Sequence, residues 1–214
     1  MAAHPKLTTA QATEMTKYIL SLGAPINPNA LPLQGQYVTR LPKDDPGKGV
    51  FIWRVAYEDN PVNNIPAARS EQTLVMRNAK IDAHGFDVYK DVNKMSFGGM
   101  NLAMPAKNGC SVALKGVDLA GMKSLIVLAS APKPQANAIG GKIQLRLNSP
   151  TGTLIGESEF LEASEKMDFV PKSLVIPITV PAEEKGKKDV YVVFVNPKST
   201  SQTMMVVVGF EFTR

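Results

Sequence analysis

Hydrophobic and polar positions alternate most regularly between residues 140 and 156. Three aliphatic positions alternate there with three polar ones, which are Ile143, Leu145 and Leu147 against Lys142, Gln144 and Arg146. A period of two is typical of a strand with one buried face. Residues 148–152 (NSPTG) follow as a turn, in which proline presets a negative φ and glycine is free to take a positive one. Residues 153–155 begin an apolar return strand, so the segment predicts one β-hairpin with a buried and an exposed face.

Short apolar runs of this kind recur from about residue 72 onward, at a spacing that is typical of all-β sandwiches. They predict strands near residues 73–76, 111–115, 124–129, 142–148, 153–159, 173–178, 190–195 and 204–212. No long helical pattern interrupts them, and the 16 Gly and 16 Pro of the chain favour many turns. The pattern therefore predicts a two-sheet β-sandwich or jelly roll over residues 73–214.

The N-terminal third has a different pattern. Residues 6–23 predict the one good helix, with Thr8 and Gln11 as a capping box and Gly23 as the residue that ends it. Residues 24–72 are a Pro- and Asn-rich connection in which 49–57 predict a strong strand and 33–39 its partner, a β-hairpin extension. Trp53, on that strand, is expected to be a packing residue that joins the extension to the sandwich.

Composition excludes several classes of protein. The net charge of +5 is dispersed, and the densest charged run, 183–189, is mixed in sign. Nucleic-acid binding would need a one-sided basic face with interleaved aromatics, so it is not expected. No apolar run approaches the ~20 residues of a membrane span. Cys110 is the only cysteine, which rules out an intrachain disulfide, and we expect it to be a small buried residue.

The sequence offers few candidate catalytic residues. His4 and His84 are the only histidines, and a structural or surface role is expected for His84. Metal-ligand spacings and a G-x-S-x-G elbow are absent, and no spacing singles out a pair of carboxylates for glycoside hydrolysis. The sequence therefore predicts that the chain is not an enzyme.

The central hairpin also resembles a known family. In family 6 carbohydrate-binding modules a strand of the form G-x-I-x-x-R-L-(D/N)-S-P-T-G-x-L-(I/V)-G runs through the sandwich. Other family motifs recur here in the same order, in residues 81–87 (IDAHGFD), 98–102 (GGMNL), 111–122 (SVALKGVDLAGM), 189–194 (DVYVVF) and 208–212 (VGFEF). The resemblance covers residues 79–214 and implies the galactose-binding-like form of the jelly roll.

The resemblance also implies where a sugar would bind. Sugars stack on aromatic faces and are held by fixed polar groups. The family's loop-end cleft uses a Tyr, a Trp and an Asn. Here Met104 stands for the Tyr, Phe169 takes the place of the Trp, and Asn196 lies near the edge that the Asn would occupy. Asn101, from the GGMNL motif, completes the predicted carbohydrate-binding set.

The family often holds a structural Ca²⁺ between acidic residues of its entry strand and an Asp of its last strand. Asp82 keeps the first position, but His84 and Gly209 replace the others. Because Ca²⁺ needs several oxygen ligands, no family-type calcium site is predicted, and the chain is expected to hold no metal. A different site that uses Asp87 or Asp91 stays open as the alternative.

Residues 1–23 resemble a different protein class. Residues 4–8 (HPKLT) and 15–22 (MTKYILSL) look like the last helix of a class I c-type cytochrome. The haem-attachment motif C-x-x-C-H is absent, so no cofactor is expected on this chain and haem only on a missing upstream cytochrome domain. The resemblance implies a fragment of a larger bacterial protein that is periplasmic, secreted or at the cell surface.

Two functions remain open at this point. In the first, residues 73–214 are a non-catalytic carbohydrate-binding module that tethers the cytochrome-containing protein to an oligo- or polysaccharide. In the second, the sandwich has lost sugar binding and serves as a structural or protein-interaction module, with its own cytochrome domain among its partners. An exposed aromatic pair beside a concave loop face would favour the first, and a flat apolar patch the second.

Overall fold

The computed structural model describes residues 8–21, 31–32, 34–40, 50–58, 68–166 and 170–214, with the backbone alone at 9 and 18–21. These residues divide into two compact units. The first comprises the described parts of 1–40 and 52–75, and the second those of 41–51 and 76–214. The predicted domain boundaries at 23 and 72 stay predictions. In the described part of the chain, no helix is long and apolar enough to cross a bilayer.

The predicted N-terminal helix is present as α1 (Thr9–Ser21). Its capping box forms as expected, because the backbone N–H of Thr8 donates to Gln11 Oε1 at 2.9 Å and the N–H of Gln11 donates to Thr8 Oγ1 at 3.2 Å. The helix is described as far as Ser21, and Leu22 and Gly23 lie outside the described residues. Two strands, β1 (Val50–Glu58) and β2 (Arg69–Arg77), form a two-stranded sheet.

The partner of β1 was predicted wrongly. Residues 34–40 form no strand in the described part of that segment, and β2 takes the place that 33–39 were expected to fill. The ion pair between Arg54 and Glu71, with an Nη2–Oε2 distance of 2.6 Å, joins the two strands. Tyr37 instead packs edge-to-face on Trp53, with ring centroids 5.6 Å apart. Residues 73–76, predicted as the first strand of the sandwich, therefore belong to β2.

The second unit is the predicted all-β sandwich. Its strands are β3 (Lys80–Asp82), β4 (Val88–Lys90), β5 (Val92–Phe97), β6 (Met100–Pro105), β7 (Ser111–Asp118), β8 (Ser124–Ser130), β9 (Lys142–Leu147), β10 (Leu154–Glu157), β11 (Lys172–Pro177), β12 (Lys187–Val195) and β13 (Val206–Thr213). One sheet has the order β10-β9-β12-β7-β4, and the other β11-β8-β13-β6-β5 with β3 also paired to β13. A short helix α2 (Lys133–Ala136) and a 3₁₀ turn (Ala182–Glu184) lie in its loops.

The core lies between these two sheets. Ile143, Leu145 and Leu147 of β9 are 0, 0 and 1% exposed, whereas the polar residues between them are half-buried. Each aliphatic side chain buried in this way contributes ~1.5–3 kcal/mol. Strands β9 and β10 pair antiparallel, with Leu154 opposite Arg146. The predicted hairpin and its two faces are confirmed.

The turn of this hairpin differs from the expectation in one detail. Asn148, with φ of 65°, takes the positive φ that was expected of the glycine. Gly152 is needed for another reason, since a Cβ at that position would overlap the carbonyl oxygen of Leu147. Asparagine tolerates the left-handed region better than other non-glycine residues, which explains the exchange of roles.

Cys110 is fully buried directly before β7, and burial raises the pKa of its thiol to about 11. Since the thiolate is the reactive form, we expect Cys110 to react with a disulfide reagent at pH 8 far more slowly in the folded protein than in urea. Thiol titration in both conditions checks this prediction. Stoichiometric labelling of the folded protein within minutes would contradict it.

Candidate functional site

Four loops meet at one end of the sandwich, where β6, β8, β10 and β12 end. They comprise residues 106–110, 131–141, 158–166 and 196–205, and we call this surface the loop end. Backbone hydrogen bonds join its segments, from Met204 to Pro105 (3.0 Å), Gly140 to Met204 (2.8 Å), Gly141 to Leu161 (3.1 Å) and Lys133 to Ser164 (2.9 Å). The loops therefore form a connected surface on a rigid sandwich, which is where binding residues commonly lie.

Asn196 holds two of these loops together. Its side chain donates from Nδ2 to the carbonyl oxygen of Gly140 at 2.9 Å and accepts at Oδ1 from the N–H of Lys198 at 3.0 Å. Its backbone N–H donates to Oδ1 of Asn108 at 3.0 Å. Because Asn196 is only 3% exposed and its amide is bonded at both ends, its observed role is to position the 131–141 loop. Direct sugar contact by Asn196 stays a prediction.

Replacing Asn196 with alanine is expected to destabilise the second unit by ~1–3 kcal/mol, because the carbonyl of Gly140 and the N–H of Lys198 lose their buried partner. Urea unfolding followed by circular dichroism measures the change. Gln135→Ala is the control, since Gln135 is exposed on α2 and its side chain makes no hydrogen bond with the described residues. Equal stability of the two variants would contradict the structural role of Asn196.

The other predicted sugar-binding residues do not lie together in the structure. Met104 is half-buried on β6, directly before Pro105, and so reaches the loop end. Asn101 lies three residues earlier, ~10 Å away along the strand. Its amide donates to Asp82 Oδ1 at 2.9 Å and accepts from Ser96 Oγ at 2.9 Å. Phe169 lies outside the described residues. The structure therefore brings Met104 and Asn196 to the loop end and leaves Asn101 in a separate cluster.

Phe160 is a loop-end aromatic that the sequence reasoning missed. It is 38% exposed, and its Cε1 lies 3.2 Å from where a Cβ on Gly140 would be. In the described part of the second unit, Phe97 and Phe160 are the exposed aromatic side chains, and Phe97 lies at the far tip of the β5–β6 hairpin. Phe160 belongs to the same β10–β11 connection as Phe169, so its aromatic character was a signal available in the sequence.

Asp82 and its neighbours do not fit a calcium ion. Oδ1 of Asp82 accepts the N–H of His84 at 2.8 Å and the amide of Asn101 at 2.9 Å, and Gly209 is its partner in the pairing of β3 and β13. His84 Nε2 lies 3.1 Å from the carbonyl oxygen of Leu102. Nitrogen donors and a glycine replace the oxygen ligands that Ca²⁺ requires. This cluster thus holds β3 to β6 through hydrogen bonds.

The outer face of the five-stranded sheet carries a polar network beside the half-buried Tyr191. Glu157 accepts from Lys142 Nζ at 2.9 Å and from Gln144 Nε2 at 2.7 Å, and the hydrogen bonds from Gln144 and Lys142 lower the pKa of its carboxyl group. Arg146 donates to Gln144 Oε1 at 2.9 Å and to the carbonyl oxygen of Gly152 at 2.8 Å. These charges satisfy one another, so the face is a weaker candidate than the loop end.

A cleft of about 490 Å³ opens at the opposite end of the sandwich. Its walls include Leu119, Met122 and Leu147, and an ion pair between Lys188 Nζ and Glu184 Oε2 at 2.7 Å lines its rim. Among the described residues, none of those lining it is aromatic. It therefore offers no stacking surface of the kind that the loop end has in Phe160.

Comparison with solved structures places this fold among known proteins. A family 6 carbohydrate-binding module from Clostridium cellulolyticum, solved with xylose, is 22% identical, has a TM-score of 0.52 and matches 64% of this chain and 98% of its own. A β-1,3-glucan-binding family 6 module from Bacillus halodurans is 22% identical, with a TM-score of 0.51, and matches 63% of this chain and 95% of its own.

A family 43 arabinoxylan arabinofuranohydrolase from Bacillus subtilis, in complex with cellotetraose, is 16% identical with a TM-score of 0.51. It matches 66% of this chain but only 29% of its own length. No protein-family model and no curated protein sequence matches the chain. The similarity shows that the chain has the fold of a family 6 carbohydrate-binding module, as the sequence motifs implied.

Proposed function

We propose that the second unit is a non-catalytic carbohydrate-binding module and that the loop end is its binding face. The observation that carries the proposal is the fold, which matches nearly the full length of two such modules. Their names record binding of xylose and of β-1,3-glucan, and we extend a sugar-binding role to this chain by analogy of fold. The exposed ring of Phe160 on the loop end supports it independently.

The chemistry of the loop end suits a sugar. Phe160 offers an aromatic face for the C–H surface of a pyranose ring. Met104 adds a polarizable apolar side chain nearby, and Thr203, Gln202 and the ion pair of Lys133 with Glu165 offer polar groups for the hydroxyls. With one described stacking ring, the site would bind a short glycan weakly. In this proposal Asn196 keeps the loop under Phe160 in place.

The wider context is also proposed. The helix α1 carries most of the segment that resembles the last helix of a class I c-type cytochrome. We propose that the module tethers a cytochrome-containing protein to glycan in the periplasm or at the cell surface, with the haem on the cytochrome domain and none on this chain. Detection of the full-length protein by antibody in periplasmic and cell-surface fractions tests this context.

One observation favours the alternative of a structural or protein-interaction module. The amide of Asn196, which was expected to read sugar hydroxyls, is buried and bonded within the protein. A loop end whose described residues offer one exposed aromatic ring, and no free amide at position 196, suits a domain that acts without binding glycan. The two functions are separated by direct binding measurements.

The experiment is a glycan-array screen of the whole chain, followed by calorimetry with soluble xylo-, cello- and laminari-oligosaccharides. Saturable binding to at least one class is expected, with millimolar to micromolar affinity. Absence of binding to every glycan at millimolar concentration would overturn the proposed function and leave the protein-interaction module as the hypothesis to test. The fold assignment would be unaffected by that result.

A further inference from the structure

The two sheets of the second unit expose edges that are protected to different degrees. Strands β3 and β4 have three residues each, and β10 has four with a bulge between Leu154 and Gly156. Strand β11 ends on Pro177, which has no N–H to offer a neighbour. Strand β5 has six residues in unbroken register with β6 and contains neither proline nor a bulge. Since short strands, bulges and proline are the usual protection of edges, β5 is the least protected of them.

Strand β5 and its neighbour β6 also expose large apolar side chains. Met95 and Phe97 are 48% and 71% exposed, and Met100, opposite Phe97 on β6, is 46% exposed. Positions 95 and 97 share one face of the sheet, because side chains alternate along a strand. Lysine side chains on an edge strand often prevent it from pairing with another chain. The ammonium group of Lys94 does not protect the edge in this way, because it lies over the ring of Tyr89 in its own chain, 4.5 Å from the centroid.

The hairpin turn determines which backbone groups of β5 are free. Gly98 and Gly99 have φ of 57° and 79°, and Phe97 is paired with Met100 across this two-residue turn. Such a turn closes on a hydrogen-bonded pair. The N–H and C=O groups of residues 97, 95 and 93 therefore point to β6, and those of Ser96, Lys94 and Val92 point to the open edge. Among the described residues, no strand pairs with that edge.

We propose that β5 pairs antiparallel with β5 of a second copy of this chain, across a twofold axis perpendicular to the sheet. Residues on the same face must then pair, so the symmetric centres within the strand are Asn93, Lys94, Met95 and Ser96. A centre at Lys94 would place two like charges opposite each other. A centre at Asn93 or at Ser96 would pair only three residues at one end of the strand. A centre at Met95 pairs Lys94 with Ser96 of the second copy, and their outward backbone groups form four hydrogen bonds.

This arrangement accounts for the exposed apolar residues. Met95 meets Met95 of the second copy in a pair without backbone hydrogen bonds, where side chains lie closest. Phe97 then lies opposite Asn93 of the second copy, and Met100 lies beside it on β6. The surface so covered joins two six-stranded sheets into one and leaves both loop ends free. It is independent of the proposed sugar site, and neither proposal needs the other.

Cysteine at position 95 tests the register directly. Cα atoms in such a pair lie ~4.5 Å apart, within the range of a disulfide. Met95→Cys is expected to give a disulfide-linked dimer under mild oxidation, at a level at least about ten-fold above the control, because paired thiols have a high effective concentration. Val175→Cys is the control, since Val175 is 55% exposed on the edge strand β11 of the same sheet. Equal cross-linking of both variants, or none at position 95, would overturn the proposal.

Proline at position 96 tests the edge without a cross-link. Ser96→Pro removes an N–H that points outward, so it leaves the β5–β6 ladder intact. Ser96→Ala is its matched control, because both variants lose the hydrogen bond from Ser96 Oγ to Asn101. Sedimentation of the whole chain across micromolar to millimolar concentration should show dimers for the wild type and Ser96→Ala, and a dissociation constant raised about ten-fold or more for Ser96→Pro. A wild type that stays monomeric, or a proline variant that dimerises equally well, would overturn the proposal.

Discussion

Phe160→Ala is expected to weaken glycan binding by the whole chain about ten-fold or more, which corresponds to ~1.4 kcal/mol or more of binding free energy. The ring is the exposed aromatic surface of the loop end in the described residues, and aromatic anchors dominate binding at such sites. Without the ring, the loop end offers the sugar only polar groups, and water makes hydrogen bonds to the sugar hydroxyls equally well. Because Phe160 is 38% exposed, its truncation costs less packing than that of a core phenylalanine, and the fold should persist. Calorimetry with a short soluble oligosaccharide measures the change.

Two further variants make this result specific. Phe97→Ala removes the other exposed aromatic in the described part of the second unit, at the far tip of a hairpin, and should leave the affinity for a short monovalent glycan unchanged. Phe160→Trp keeps a stacking face and should retain binding. A loss of affinity in Phe97→Ala equal to that in Phe160→Ala, or full affinity in Phe160→Ala, would show that the loop end is not the binding face.

The sandwich itself was predictable because its central strands obey simple alternation. Residues 142–147 place every second side chain in the core, and so do residues 124–129. The run near 190–195 is apolar because its residues are buried or half-buried on both faces. Strand β5 escaped prediction for the opposite reason. Positions 93–97 are all exposed at a sheet edge, so burial imposed no period on their sequence.

The sequence pattern did not predict which strands pair in the first unit. Residues 33–39 alternate like a strand, whereas β2, with the sequence RSEQTLVMR, is largely polar. The ion pair of Arg54 with Glu71 joins β1 to β2, and a contact between residues 17 apart in the chain leaves no local signature. Pairing across long separations is specified by tertiary contacts that one sequence does not display.

The candidate site shows the same division. The motif resemblance singled out Met104 and Asn196, and the structure brings both to the loop end, because both positions follow from strand order. The role of Asn196 did not follow, since an amide at the end of β12 is equally able to face a ligand or a neighbouring loop. Only the position of Gly140 under that amide shows that the side chain is bonded internally. Phe160 could have been selected, but nothing in the sequence ranked it above Phe169.

Gly140→Ala is expected to be the most damaging single-methyl substitution at the loop end. Gly140 has φ of 77°, where non-glycine residues cost ~1–2 kcal/mol, and a Cβ there would overlap the carbonyl oxygen of Leu161. That oxygen accepts a hydrogen bond from the N–H of Gly141, which holds it in place against the added methyl group. Overpacking of this kind adds ~1–3 kcal/mol. The hydrogen bonds of Gly140 with Met204 and Asn196 would be strained at the same time.

Gly109→Ala provides the matched control for this prediction. Gly109 lies in another loop of the same end with φ of 78°, but a Cβ there meets nothing within 4 Å. The cost of positive φ cancels between the two variants, so the difference in their free energies of unfolding isolates the overlap at Gly140. Urea unfolding should be followed by circular dichroism, because the single tryptophan, Trp53, lies in the first unit. Equal stability would mean that the 158–166 loop moves freely, and a loop that moves freely would not hold Phe160 in place as a binding surface.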